Sequence, residues 1–170
     1  MNEAAAEKEL ILDSDQVNQK IKRIAYTIYE NNFMEKVIVL AGIDGQGYTL
    51  ATILAKDVEA ISPLKVMLVK VSLDKLAPRQ SEVSIDVEVK ELKNKCIVLI
   101  DDVLNSGRTL AYGLKPFLNT DVKKIEIAVL VNRRNTSFPL LPTYTGYELS
   151  TTLTDHVEVL LGKKSSVYLH

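Results

Sequence analysis

Cysteine is almost absent from this chain. Its 170 residues contain one, Cys96, which excludes a disulfide framework and reads as a small core residue opening a strand. A charge excess of either sign is also missing, because 21 Lys and Arg against 22 Asp and Glu leave a net charge of −1. No strong global field therefore draws the chain to nucleic acid or to a membrane, although a local basic patch stays open. No apolar run approaches the length of a membrane span, and no segment has the charged, apolar and cleavage regions of a secretory signal. A cytoplasmic protein with no membrane partner is the expectation. Internal repeats, low-complexity tracts and a convincing domain boundary are lacking too. What remains is an ordinary globular mixture, 46% hydrophobic and 25% charged, whose length suits one domain over residues 1–170.

The most informative stretch present runs from Lys95 to Thr109. Ile97 to Ile100 form a short apolar run rich in β-branched residues, the pattern of a strand buried on both faces. Asp101 and Asp102 follow at its end, and Ser106-Gly107-Arg108-Thr109 opens a helical pattern over Leu110 to Leu118 that Pro116 limits. In an open parallel sheet, ligands collect outside the carboxyl ends of strands. Acidic residues after a strand also mark turns, and Ser106 also suits a helix cap. Local physics leaves both readings open.

Elsewhere the chain alternates strands and helices. Residues 1–9 are polar and Ala-rich, with a frayed terminus expected. Asp13 and Gln16 have the spacing of a capping box, and Val17, Ile21, Ile24, Ala25 and Ile28 then mark one apolar helix face. Lys20, Lys22 and Arg23 lie opposite, as a solvated face or a polyanion contact. Val37 to Ala41 reads as a buried strand, Gly42 to Gly47 as a Gly-rich turn, and Tyr48 to Ile61 as a helix. That arrangement aims backbone N–H groups at an anion. It lacks the Lys-Ser/Thr ending of a Walker A loop.

Lys65 to Ser72 supplies another strand, and Leu73 to Glu82, with Lys75 and Arg79, reads as an exposed loop. The alternation of Val83, Ile85, Val87 and Val89 with polar residues predicts a half-exposed strand, antiparallel at the sheet edge. Lys124 to Val131 is a further strand, followed by Asn132-Arg133-Arg134-Asn135. Short β pieces come last, around Tyr144, Val157 to Leu161 and Val167 to Leu169. His156 reads most simply as a surface or packing histidine, with no second ligand at metal spacing. Together these predict an α/β fold, a mostly parallel central sheet flanked by helices, with a small accessory lobe from the late strands.

The run Ile97 to Val103, with Ser106-Gly107-Arg108-Thr109, resembles the phosphoribosyl-pyrophosphate motif of type I phosphoribosyltransferases. Ile11-Leu12-Asp13, Leu130-Val131-Asn132-Arg133, Tyr144-Thr145-Gly146 and Thr151-Thr152 extend the resemblance to the pyrimidine-operon attenuators that are also uracil phosphoribosyltransferases. The resemblance implies Mg²⁺-dependent transfer of a phosphoribosyl group from phosphoribosyl pyrophosphate to a nucleobase, uracil or another base, as in nucleotide salvage. It also implies a homodimer or higher oligomer. The alternative is a nucleotide-sensing, RNA-binding regulator of pyrimidine genes on the same fold, with Lys20, Lys22, Arg23, Arg133 and Arg134 as RNA contacts.

By this resemblance Asp101 and Asp102 are the catalytic pair, accepting hydrogen bonds from ribose hydroxyls and stabilising positive charge at the anomeric carbon. Asn105, Ser106, Gly107, Arg108 and Thr109 cradle the 5′-phosphate. Ile43, Asp44, Gly45, Gln46 and Gly47 match the pyrophosphate loop in position, while Asn132 and Tyr147 frame the base. Mg²⁺ would be carried chiefly by pyrophosphate and sugar oxygens, near Asp101 and Asp102. Three departures stand out. Gln46 replaces a basic residue and neutralises no charge. The loop expected to close over substrate is short and lacks the attenuators' Arg-Asp-Asp, which leaves Lys75 or Arg79 as substitutes. Asn105-Ser106 stands for an aromatic residue and Thr, and Ser keeps the hydroxyl.

Overall fold

A computed structural model describes residues 7–77, 79 and 82–170. The chain enters through β1 (Glu9–Leu12) and turns at Asp13 into α1 (Ser14–Asn32). Asp13 Oδ1 accepts the Gln16 N–H at 2.9 Å, and Gln16 Oε1 accepts the Asp13 N–H at 2.9 Å, which completes the capping box. Then come β2 (Val37–Ile43), α2 (Gln46–Ile61), β3 (Lys65–Ser72), the two-residue β4 (Ser84–Ile85) and a 3-10 turn (Val89–Leu92). They lead to β5 (Cys96–Leu104), α3 (Arg108–Gly113), a second 3-10 turn (Lys115–Asn119) and β6 (Lys124–Asn132). β7 (Tyr144–Glu148), β8 (Val157–Leu160) and β9 (Ser166–Leu169) finish the chain.

Six strands form the main sheet in the order β4-β3-β2-β5-β6-β7. All neighbours are parallel except β3 and β4. Side-chain alternation along the central strands feeds two cores. Leu40, Val98, Ile100 and Leu130 pack toward α1 and α2, joined by Val157, Val159 and Val167 of the late strands. Val39, Ala41, Ile97, Leu99 and Val129 pack on the other face with Leu92, Leu110 and Phe117. The accessory lobe is an antiparallel sheet, β1-β9-β8. The parallel sheet and the flanking helices match the expected fold, and a small lobe is present, but the Tyr144 strand expected in it pairs with β6 in the main sheet while β1 takes a place in the lobe.

The differences lie at element ends, and each has a local cause. Glu9 is paired with Leu169 in β1 instead of fraying, while residues 1–6 lie outside the described residues. The strand expected over Val83 to Val89 shrinks to Ser84–Ile85. Asp86 Oδ1 takes the Lys70 N–H at 2.9 Å, so a side chain replaces the ladder acceptor, and a Glu88–Glu91 capping box then starts the 3-10 turn. The helix expected over Leu110 to Leu118 splits, because Pro116 lies in the first turn of the second 3-10 segment. β5 runs on through both aspartates to Leu104, held by β6 pairing of Asp101 with Val129 and of Val103 with Val131.

Candidate active site

The turns after β2 and β5 stand side by side at the carboxyl end of the parallel sheet. Gly47 makes this contact possible: a Cβ there would sit 2.8 Å from Asp101 Oδ1 and 3.0 Å from the Ile100 carbonyl. Gly42 is as constrained, since its Cβ would meet Tyr48 Cα at 2.6 Å. Gly45 caps α2 at φ 98°, a conformation that favours glycine. Within this turn the Ile43 side chain belongs to the second core, whereas Asp44 and Gly45 are exposed. Asp44 Oδ1 accepts the Gly45 N–H at 3.0 Å. Gln46 Oε1 is buried with no hydrogen-bond partner among the described residues, an orphan acceptor at the start of α2.

Asp101 is only 4% exposed. Burial first, and the neighbouring Asp102 charge second, push its carboxyl well above the usual carboxylate range. Two contacts oppose that: the Asp102 N–H donates to Asp101 Oδ1 at 2.9 Å, and Lys75 Nζ stands 3.6 Å from the same oxygen. Asp102 is half-buried and reaches the same space. Asp101, Asp102, Lys75 and the turn from Asn105 to Thr109 line a cavity of about 360 Å³, and His156 to Val159 of the accessory lobe form its other wall.

The turn after β5 is braced from several sides. Gly107 adopts φ 85° and caps α3, and Ser106 Oγ accepts the Arg108 N–H at 3.2 Å. The Ser106 carbonyl accepts the N–H groups of Ser137 and Phe138 at 2.8 and 3.1 Å. The side chains of Phe138 and Leu140 lie against Gly107. α3 has six residues, so its dipole is small, and the turn offers N–H groups and hydroxyls more than a helix field.

Two residues expected at the base fall outside this cavity's lining. Asn132 is buried, and its Oδ1 accepts the Arg134 N–H at 3.0 Å. Tyr147 packs against the core beside α1, with Lys20 Nζ 5.8 Å from its ring centroid. His156, read as surface or packing, lines the cavity, and its ring meets His170 edge-on at 5.0 Å. Arg133, read as a nucleic-acid contact, is 7% exposed and turned inward, while Arg134 pairs with Glu148. No local sequence signal marks Arg133 as inward-facing, since its hydrogen-bond acceptors lie far along the chain.

Mg²⁺ fits this donor set only loosely. The described residues contain no group of three or more His, Cys, Asp and Glu able to hold a metal. Two adjacent carboxylates beside an N–H-rich turn suit an ion that keeps mostly phosphate and water oxygens. Among the described residues no helix is long and apolar enough to cross a membrane.

Residues 8–157 match the phosphoribosyl transferase domain family. The Bifunctional protein PyrR of Macrococcus caseolyticus is 30% identical over 172 residues, covering 96% of this chain and 99% of that protein. The PyrR of Fusobacterium nucleatum is 33% identical, with 95% and 97% covered. Among solved structures, a hypoxanthine phosphoribosyltransferase of Staphylococcus aureus shares the fold at a TM-score of 0.73 and 16% identity, covering 89% of this chain and 85% of its own. A hypoxanthine-guanine phosphoribosyltransferase of Bacillus anthracis does so at 0.68 and 19%, covering 83% and 82%.

Proposed function

The chain belongs to the phosphoribosyl transferase domain family, and from that premise we propose that it transfers the phosphoribosyl group of phosphoribosyl pyrophosphate to a nucleobase, uracil or another base. The observation that carries this reading is the shared cavity, with an acidic pair and a braced N–H-rich turn on one wall and the accessory lobe on the other. The turn from Asn105 to Thr109 holds the 5′-phosphate. Asp102, the more accessible carboxylate, accepts hydrogen bonds from the ribose hydroxyls, and Asp101 stands behind it. As the bond from the anomeric carbon to pyrophosphate breaks and that to the base forms, positive charge develops at the anomeric carbon. The acidic pair stabilises it. The turn from Ile43 to Gly47 receives the leaving pyrophosphate through its backbone N–H groups and the N-terminus of α2. Bound Mg²⁺ would neutralise charge on the pyrophosphate, with Asp101 and Asp102 nearest.

Asn132 and Tyr147 remain base-side residues in this reading, although neither lines the cavity. The protein is a cytoplasmic homodimer or higher oligomer, which sedimentation checks. Turnover of the donor with uracil, hypoxanthine, guanine and orotate tests the transfer, with calorimetry for donor binding. Donor binding without turnover of any base would leave a binding protein.

The alternative, a nucleotide-sensing RNA-binding regulator, draws on the relatives named bifunctional. Burial of Arg133 removes one of its five proposed cations, and Arg134, though exposed, is paired with Glu148. RNA affinity that falls steeply with salt would support it, since phosphate contacts release counterions.

A further inference from the structure

Arg133 is a buried cation without a role in the chemistry above. Its guanidinium makes four hydrogen bonds: Nε donates to Thr151 Oγ1 at 2.9 Å, one terminal nitrogen donates to Asn105 Oδ1 at 2.5 Å, and the other donates to the carbonyls of Thr152 and Asp155 at 3.1 and 2.7 Å. All four acceptors are neutral. The Asp155 carboxylate is held down first by the Thr152 N–H, and Arg133 adds only a smaller effect. Burying a charge without a bonded counter-charge is costly. A fork of fixed geometry holds several acceptors in place at once, which a lysine would not.

The backbone is arranged to aim this side chain inward. The Arg133 N–H donates to the Leu104 carbonyl at 3.1 Å. Arg134 then takes a left-handed φ of 59°, fixed by its N–H bond to Asn132 Oδ1. Of these acceptors Asn105 lines the cavity, and the others lie just before His156, which lines its opposite wall. Asn105 opens the turn after β5, and residues 151–155 lead directly into His156 and β8.

We infer that Arg133 is a positioning residue that yokes the sugar-phosphate turn to the accessory-lobe wall, so that the geometry of either wall sets donor affinity at the other. The inference rests on the phosphoribosyl-transfer reading of the cavity. The uncompensated charge beside Asn105 also favours an anion in that turn.

The test uses the full chain with Arg133→Met, Arg133→Lys, Asn105→Ala, Thr151→Val and the double variant Asn105→Ala/Thr151→Val. Donor affinity is read by calorimetry, KM and kcat by turnover, and local order by hydrogen exchange. Arg133→Met should lose protection at residues 105–109 and 151–156 together and raise donor KM about tenfold, with a smaller change in kcat. Arg133→Lys, which keeps the charge but not the fork, should recover only part of both. Thr151→Val lies outside the cavity lining, in the segment that leads to the far wall, yet it should raise donor KM about threefold, and less so in the Asn105→Ala background. Lost protection at one segment only, or no change in donor KM in Thr151→Val, overturns the inference. Should Arg133→Met fail to fold, the Asn105→Ala and Thr151→Val cycle decides through its non-additivity. If the unaltered protein binds no donor, the transfer reading fails, while paired loss of exchange protection still decides the yoke.

Discussion

The turn after β2 leads into a helix of 16 residues, and the turn after β5 into one of six. The first has no side-chain cap at Gly45 and carries neutral Gln46 where a cation would meet a leaving anion. Its affinity must come from the dipole of a long helix and from backbone brought close by small residues. The second has little dipole, but its donors are held by Ser106, by the 137–140 segment and by Arg133 through Asn105. One turn works by field and close approach, the other by fixed geometry. The first should therefore be fragile toward added volume and tunable by added charge. The second should tolerate small volume changes and respond to lost hydrogen bonds.

Gly47→Ala breaks the comparison hardest. Its Cβ would press on the Asp101 carboxylate and the Ile100 carbonyl, neither of which can swing away. A loss of about 1–3 kcal/mol is expected by thermal unfolding, with turnover down about 10²-fold from misplacement of the acidic pair. Gly107→Ala is the control: its Cβ would meet side chains alone, those of Leu140, Phe138 and Leu104 at 3.3, 3.4 and 3.7 Å. Its cost should be the left-handed backbone alone, about 1–2 kcal/mol. Equal effects on turnover in both variants would erase the distinction.

Asp102→Asn comes next. It keeps the shape but replaces a charged acceptor of ribose hydroxyls, so kcat/KM should fall about 10- to 100-fold with thermal stability little changed. An unchanged kcat/KM would remove Asp102 from the reaction. Gln46→Lys goes the other way, adding the missing cation at the first turn. Donor and pyrophosphate affinity should rise about two- to fivefold at low salt and lose that gain as salt increases. A salt-insensitive gain would mean packing rather than charge.

Much of this difference was legible in the sequence, because it rests on local rules. The acidic pair and both Gly-rich turns are visible as local patterns at strand ends. Short apolar runs mark β2, β3, β5 and β6, whereas period-two alternation overstates β4 and nothing local assigns β7 to the main sheet. What the sequence hides is long-range. Arg133 looks like a surface cation because its four acceptors lie 18 to 28 residues away along the chain. Gly47 looks like a turn residue until β2 and β5 become neighbours and put Asp101 against it. The Val83 to Val89 alternation failed for a related reason, since Asp86 supplied a side-chain acceptor that period alone does not reveal.

Lys75→Met should have the smallest effect, and its sign tests whether the loop after β3 reaches the site. Lys75 Nζ lies 3.6 Å from Asp101 Oδ1, but its side chain is 42% exposed against 5% for Asp101, so screening keeps the pair below about 1 kcal/mol. Asp101 holds its proton more tightly in the folded chain than in the unfolded one, because burial and Asp102 outweigh Lys75. Its contribution to stability is therefore full below the ordinary carboxyl value of 3.8 and is lost as pH rises through the higher folded value. Removing Lys75 lifts the folded value further, so the loss should extend to higher pH and leave the variant slightly less stable at neutrality. Asp101→Asn has no proton to lose and should flatten this part of the profile while raising neutral stability. Thermal midpoints from acid to neutral pH compare the three proteins. A Lys75→Met profile that overlays the unaltered one would show that this cation does not reach Asp101 in solution.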